Sequence, residues 1–376
     1  MKIFLIKIDN IGDNILFLPF VNQLIQDNHE VFIITNVTAL DLYLNIKIKT
    51  LKYNKSEFKK DKGNIVFSIN SKGPYDVLIN ASFSPRDDSI YLSKEIQSKK
   101  KYSFAGNRIN LLRFKSSEYS NIYTKLIDVS TENTPEILKN KILYKQIFNS
   151  DLLKYVPKIT ISRTDKEKVL GIFRKYNIDR TKLIVLFSGV GSKIREYYNF
   201  NSALTLFSKK HHFQVVALGA KGDFDINQSN LPACCKTLNL SGKLSLNESL
   251  ALISLSKCAL GGETGLAHAC IGLNVPHAIV LGGGHIGRFM PYSCYTVPII
   301  VDLDCIYCNW NCTQSSNFCI TDVSAQSISS ALSHAWNFDS SKNRVFVQGS
   351  KYQNNKSKKF QKFITHFNPF ELINKE

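Results

Sequence analysis

The chain has 376 residues, 44% hydrophobic and 11% aromatic, and its 48 Lys and Arg against 30 Asp and Glu give a net charge of +18. That length exceeds what one core usually serves, so two globular domains of roughly 150 to 200 residues each are expected. No apolar run reaches the ~18 residues of a membrane helix, and Lys7 and Asp9 cut the N-terminal apolar stretch too short for a signal peptide; the expectation is a cytoplasmic protein whose partners are anionic.

The chain opens with "KIFLIKI", which reads as a strand by its apolar content, and passes through the loop "DNIGDN" into "DNILFLPFVNQLIQ", whose apolar residues fall at helical spacing. "EVFIIT" and "YDVLINAS" read as further strands, and this alternation marks a doubly wound α/β domain. Two lysine-rich stretches, "KYNKSEFKKDKG" and "SKKKYSFAGNR", read as solvated loops. A break near Pro157 places a linker around residues 150–160, separating a first domain, 1–155, from a second, 160–338. The second domain repeats the pattern with strands "KLIVLFS", "FQVVALG", "CALGG" and "PHAIVLGGG". Its helix from Leu246 starts on a capping box, Ser245 with Glu248. Residues 341–376 form a basic tail in which "FQKFITHF" is expected to make an amphipathic helix packed on the first domain.

Chemistry concentrates in "GGETGLAHACIGLNVPHAIVLGGGHIGRFMPY", residues 261–292. Gly261 and Gly262 close a strand, Glu263, Thr264 and Gly265 turn the chain, and the helix that follows offers free N–H groups and a positive dipole end to an anion such as a diphosphate. His268 lies one turn in and reaches the same ligand. The loop Gly282–Gly284 ends the next strand on the same sheet edge, where glycine lets a ligand approach the backbone, with His285 and Arg288 beside it.

All nine cysteines fall between Cys234 and Cys319, and Cys305, Cys308, Cys312 and Cys319 are spaced C-x2-C-x3-C-x6-C. In a reducing compartment such a cluster reads as a structural tetrahedral metal site, zinc first and iron second, ahead of free thiols or disulfides.

"IDNIGDNILFLPF" together with "ETGLAHACIGLNVP" resembles glycosyltransferase family 9, the heptosyltransferases of lipopolysaccharide assembly and their relatives, and "LNLSGKLSLNESLALISLSKCAL" is similar to another of the family's segments. The resemblance implies a GT-B fold, two facing Rossmann-like α/β domains with a cleft between them, the acceptor held by the first and the nucleotide sugar by the second. By motif, Asp13 matches the catalytic base. Glu263, Thr264, Gly265 and His268 match the nucleotide-sugar site, to which Ser188, Gly283 and Arg288 are added. Either Lys193 or Arg195 stands for the family's lysine, with Tyr197 or Tyr198 for its aromatic neighbour. Glu263 stands where Asp is common, and "GGGHIGRFMPY" replaces a Gly-Pro-Thr loop, which points to a divergent branch.

The function so implied is inverting transfer of heptose or a related sugar, ADP-heptose being the expected donor, to lipopolysaccharide or another surface glycan. No catalytic cofactor is needed, and the basic charge suits peripheral association with the inner face of the inner membrane. A protein heptosyltransferase is the alternative within the same chemistry. An NAD-dependent oxidoreductase is disfavoured because "DNIGDN" lacks the G-x-G-x-x-G fingerprint. A nucleic-acid-binding protein without transferase activity is the reading from another class, and no nucleic acid is expected.

Overall fold

A computed structural model gives the fold; it describes residues 1–349 and 358–359, apart from 115, 130, 132 and 342–344. The expected amphipathic helix at 360–367 lies outside the described residues. The chain divides into two compact units, Met1–Pro157 and Lys158–Glu376. Among the described residues no helix is long and apolar enough to cross a membrane.

The first unit holds β1 (Lys2–Lys7), β2 (Glu30–Asn36), β3 (Lys49–Tyr53), β4 (Tyr75–Asn80), β5 (Ser98–Phe104) and β6 (Lys125–Ile127). They form one parallel sheet in the order β3-β2-β1-β4-β5-β6. β1 sits at its centre, and Ile3, Phe4, Leu5 and Ile6 are buried without alternation, the pattern of a parallel strand covered on both faces.

Both lysine-rich stretches expected to be loops are regular structure. "KYNKSEFKKDKG" ends β3 and starts the helix Lys55–Asn70, whose first turn is capped by Asn54 Oδ1 accepting from the Ser56 and Glu57 N–H groups. Phe58, Val66 and Ile69 anchor that helix in the core while its lysines face water. "SKKKYSF" is β5, paired on both sides, with Ser103 and Phe104 buried and Lys99 and Lys100 exposed. Local charge density hid elements that a few buried positions are enough to hold in place.

The second unit holds β7 (Leu183–Phe187), β8 (Gln214–Ala217), β9 (Lys236–Asn239), β10 (Cys258–Gly262), β11 (His277–Val280), β12 (Thr296–Asp302) and β13 (Phe346–Gly349). This sheet is also parallel, in the order β13-β12-β11-β10-β7-β8-β9. β13 falls inside the segment expected to be a tail: it pairs with β12, and Gln348 accepts from the Ser324 N–H at 2.8 Å. The capping box forms as the sequence predicts, with reciprocal bonds between Ser245 and Glu248 at 2.9 and 3.1 Å.

Numbered within its own unit, each sheet runs 3-2-1-4-5-6, the second adding a seventh strand at its edge. The order therefore reverses between β1 and β4 in one unit and between β7 and β10 in the other, and the crevice outside the carboxyl ends of such strands is where open α/β sheets bind ligands.

Candidate functional site

At the first reversal, Lys7 ends β1 in the buried interior. Its Nζ donates to Ala81 O at 2.9 Å and pairs with Asp9 Oδ2 at 3.0 Å, and Ser82, just past β4, donates to the same Asp9 oxygen at 2.6 Å. Burial works against the lysine charge, but Asp9 first, then Asp13 and Glu136, more than offset it and raise the Lys7 pKa. Asp9, in the loop after β1, is the counter-ion that ties the ends of β1 and β4 together.

Asp13 lies in the first turn of the helix Ile11–Gln26 and is half-buried. The neighbouring Asn14, fully buried, fixes this loop: its Nδ2 donates to the Asp9 and Asn10 carbonyls at 3.0 Å, while its Oδ1 accepts from Thr35 Oγ1 at 2.9 Å and the Tyr43 hydroxyl at 2.8 Å. Sequence reasoning passed over Asn14, because nothing local announces that its partners lie on β2 and beyond.

At the second reversal, Glu263 follows β10 and is only 7% exposed. Arg195 Nη1 donates to its Oε2 at 3.2 Å and to its backbone carbonyl at 3.4 Å; His285 Nδ1 hydrogen-bonds the same Oε2, and His268 Nε2 lies 3.6 Å from Oε1. Burial favours the neutral acid, yet His285 and then His268 outweigh it and hold the carboxyl well below the usual range. His268 Nδ1 in turn meets the Tyr292 hydroxyl at 3.0 Å.

Thr264 is the N-cap of the helix Gly265–Gly272, its Oγ1 accepting from the Leu266 N–H at 3.2 Å. Ser188, immediately after β7, is 1% exposed; its N–H donates to Asn227 Oδ1 at 2.8 Å, but its hydroxyl has no hydrogen-bond partner among the described residues. Of the two candidate cations, Arg195 joins Glu263, whereas Lys193 is exposed and outside the cluster. Tyr197 is buried and donates to Val323 O, while Tyr198 is exposed against Glu196. Arg288 donates to Asn309 Oδ1 at 3.0 Å.

The glycine loop differs from its expected role. A Cβ on Gly282 would lie 2.3 Å from Trp310 Cη2, and one on Gly284 would lie 2.7 Å from Trp310 Cδ2. The open faces of these glycines admit an indole ring rather than a ligand. Gly283 accepts from the Tyr307 N–H at 2.9 Å and packs near Ile306 and Cys319. Trp310, which sequence reasoning did not select, thus covers the loop; its ring meets His285 edge-on at 5.3 Å and lies 6.0 Å from the Arg195 guanidinium.

The metal reading of Cys305, Cys308, Cys312 and Cys319 finds no support: among the described residues no group of three or more His, Cys, Asp or Glu is arranged to hold a metal ion. Cys319 is buried beneath the glycine loop and its thiol is pushed up to about 12, by burial first; Cys312 is exposed, its Sγ donating to Ser316 O at 3.5 Å. Close spacing in sequence brought these thiols near one another without turning them onto a common centre. The loop that carries them instead covers Gly282–Gly284 and donates from Asn317 to Ile194 O at 2.6 Å.

Two doubly wound parallel-sheet domains in tandem make up the GT-B fold. No curated protein matches the chain. Among solved structures, the ADP-heptose lipopolysaccharide heptosyltransferase II of E. coli is similar, with 14% identity, a TM-score of 0.68, and 90% of this chain and 99% of that one covered. The E. coli heptosyltransferase WaaC with ADP-2-deoxy-2-fluoro heptose gives 12% identity, a TM-score of 0.58 and coverages of 79% and 92%. The dodecameric iron-containing heptosyltransferase TibC of enterotoxigenic E. coli, in complex with ADP-D-beta-D-heptose, gives 9%, 0.55, 89% and 76%. Residues 88–314 match glycosyltransferase family 9 (heptosyltransferase), and the chain belongs to that family. It is a glycosyltransferase.

Proposed function

We propose that the protein transfers heptose or a closely related sugar, with inversion, from ADP-heptose or a similar nucleotide sugar to a lipid-linked surface glycan such as lipopolysaccharide. The observation that carries this reading is the Glu263 cluster: a buried carboxylate at the reversal of the second sheet, beside a capped helix N-terminus and a buried, unpartnered Ser188 hydroxyl. WaaC and TibC, both solved with ADP-linked heptoses, make ADP-heptose the first donor to test.

In this reading the second unit binds the donor. The Gly265 helix end, the Ser188 hydroxyl and Arg195 face the diphosphate and offset its charge as it departs, without a metal or cofactor, and Glu263 accepts from sugar hydroxyls. The first unit binds the acceptor, and Asp13 is the base. The acceptor O–H proton goes to the Asp13 carboxylate, the acceptor oxygen bonds to the anomeric carbon, and the C–O bond to phosphate breaks with its electron pair leaving on ADP. Attack on the face opposite the leaving group inverts that carbon. A loop at the carboxyl end of β5 supports an amphiphilic acceptor at the inner membrane face: Leu112 is 88% exposed and Ile109 and Arg113 are exposed beside it, although Leu112 and Arg113 are held by their N–H groups on Asp87 Oδ1.

Thermal denaturation against a panel of nucleotide sugars is the test. ADP-heptose should raise the midpoint selectively, since a ligand bound only by the native state stabilises it. Stabilisation by none of them would defeat the proposal; transfer to a peptide rather than a glycolipid acceptor would replace its acceptor half.

A further inference from the structure

Trp310 has three properties that its place in a cysteine-rich loop does not by itself require. Its ring fills the space that side chains on Gly282 and Gly284 would occupy, and its edge-on contact with His285 at 5.3 Å and its approach to Arg195 at 6.0 Å bring it against two partners of Glu263. The backbone around it is held in an unfavourable form: Tyr307, Asn309 and Trp310 have φ of 66°, 47° and 66°, the left-handed region that bulky side chains rarely adopt. Its indole Nε1 is buried without a hydrogen-bond partner among the described residues. Such strain and such an unsatisfied donor each cost stability, and costs of this kind gather where a site needs a fixed geometry.

The same segment is stitched to the site at other points. Asn309 accepts from Arg288, Tyr307 donates to Gly283 O, and Asn317 donates to Ile194 O, one residue before Arg195. The loop from β12 therefore holds both segments that bring Arg195 and His285 to Glu263: the turn carrying the arginine and the glycine loop leading to the histidine.

We propose that Trp310 is a positioning residue of the donor site, holding His285 and Arg195 against Glu263 so that the carboxylate is presented to the donor sugar in one orientation. The proposal rests on the assignment of the Glu263 cluster to the donor. It places donor selectivity partly in a loop that contacts no reacting atom, and it gives "GGGH" a purpose: two glycines to seat the ring and a histidine for the ring to hold.

The chain has two tryptophans, Trp310 and Trp336, so Trp336→Phe leaves Trp310 as the only indole reporter. In that background, adding ADP-heptose should shift the Trp310 emission with the same midpoint as the thermal stabilisation. Steady-state kinetics on Trp310→Ala and Trp310→Phe complete the test. Trp310→Ala should raise the KM for the donor roughly tenfold or more while the acceptor KM stays within about twofold, and Trp310→Phe, which keeps an aromatic ring, should restore donor KM to within about threefold of the parent. An unchanged donor KM in Trp310→Ala with only less active protein would reduce Trp310 to a fold-stabilising residue and overturn the proposal, as would a silent emission when the donor demonstrably binds. If ADP-heptose and the other nucleotide sugars fail to stabilise the parent protein, the donor assignment falls first, and the two failures are told apart.

Discussion

The two units solve one electrostatic problem in two ways. Both sheets reverse their order between their first and fourth strands and both place a carboxylate there, Asp9 past the first strand of one and Glu263 past the fourth of the other, but Asp9 is neutralised by one buried lysine from the strand before it whereas Glu263 is surrounded by three cationic or protonatable groups. A short-range pair such as Lys7–Asp9 is rigid, and in the proposed reading Asp13 is the acid of this loop that serves as base. A buried acid with several adjustable partners can exchange one of them for a sugar hydroxyl. The first arrangement suits a base held in place, and the second suits a binding group.

That division can be broken experimentally. The largest effect is expected from Asp13→Asn, which should lower turnover by about 10²- to 10⁴-fold while leaving donor stabilisation intact; turnover close to the parent's would remove Asp13 from the reaction. Lys7→Met should cost about 3 kcal/mol in urea denaturation, because it leaves the half-buried Asp9 without its counter-ion, and Lys7→Arg should recover part of the loss. If Lys7→Met is as stable as the parent, the first unit does not depend on its pair.

Glu263→Gln should cost about 2 kcal/mol near neutral pH and weaken the donor-induced thermal shift without changing the fold. Because the folded carboxyl is held below its ordinary value of 4.5, its contribution is present above that value and is lost as pH falls through the lower folded value. The melting curves of parent and Glu263→Gln should therefore converge as the pH is lowered below about 4.5, and a gap that widens there would reverse the assignment. The smallest effect is expected from Gly284→Ala, whose methyl meets the Trp310 ring and should cost about 1–2 kcal/mol, with donor affinity falling in parallel.

The parallel sheets were legible in the sequence because buried strands carry continuous apolar runs, as in "KIFLI" and "LIVLF", and the capping box at Ser245 was legible because both of its partners lie within one turn. The motif around Glu263, Thr264 and His268 was legible for the same reason, a strand end, a cap and a helix being consecutive. Elements dense in lysine, β5 and the helix Lys55–Asn70, were not, since a half-exposed element needs only a few buried positions.

Within the sites, the sequence by itself determined which carboxylates stand at the ends of strands, and no more. Tertiary structure decided their partners. Ser82 reaches Asp9 from 73 residues away because β4 lies beside β1, and His285 reaches Glu263 from 22 residues away because β11 lies beside β10. It also decided that Gly282 and Gly284 make room for Trp310, and that four closely spaced cysteines do not converge on one centre. Spacing along the chain controls only contacts within a turn or two; strand order and the packing of loops over the sheet edge control the rest.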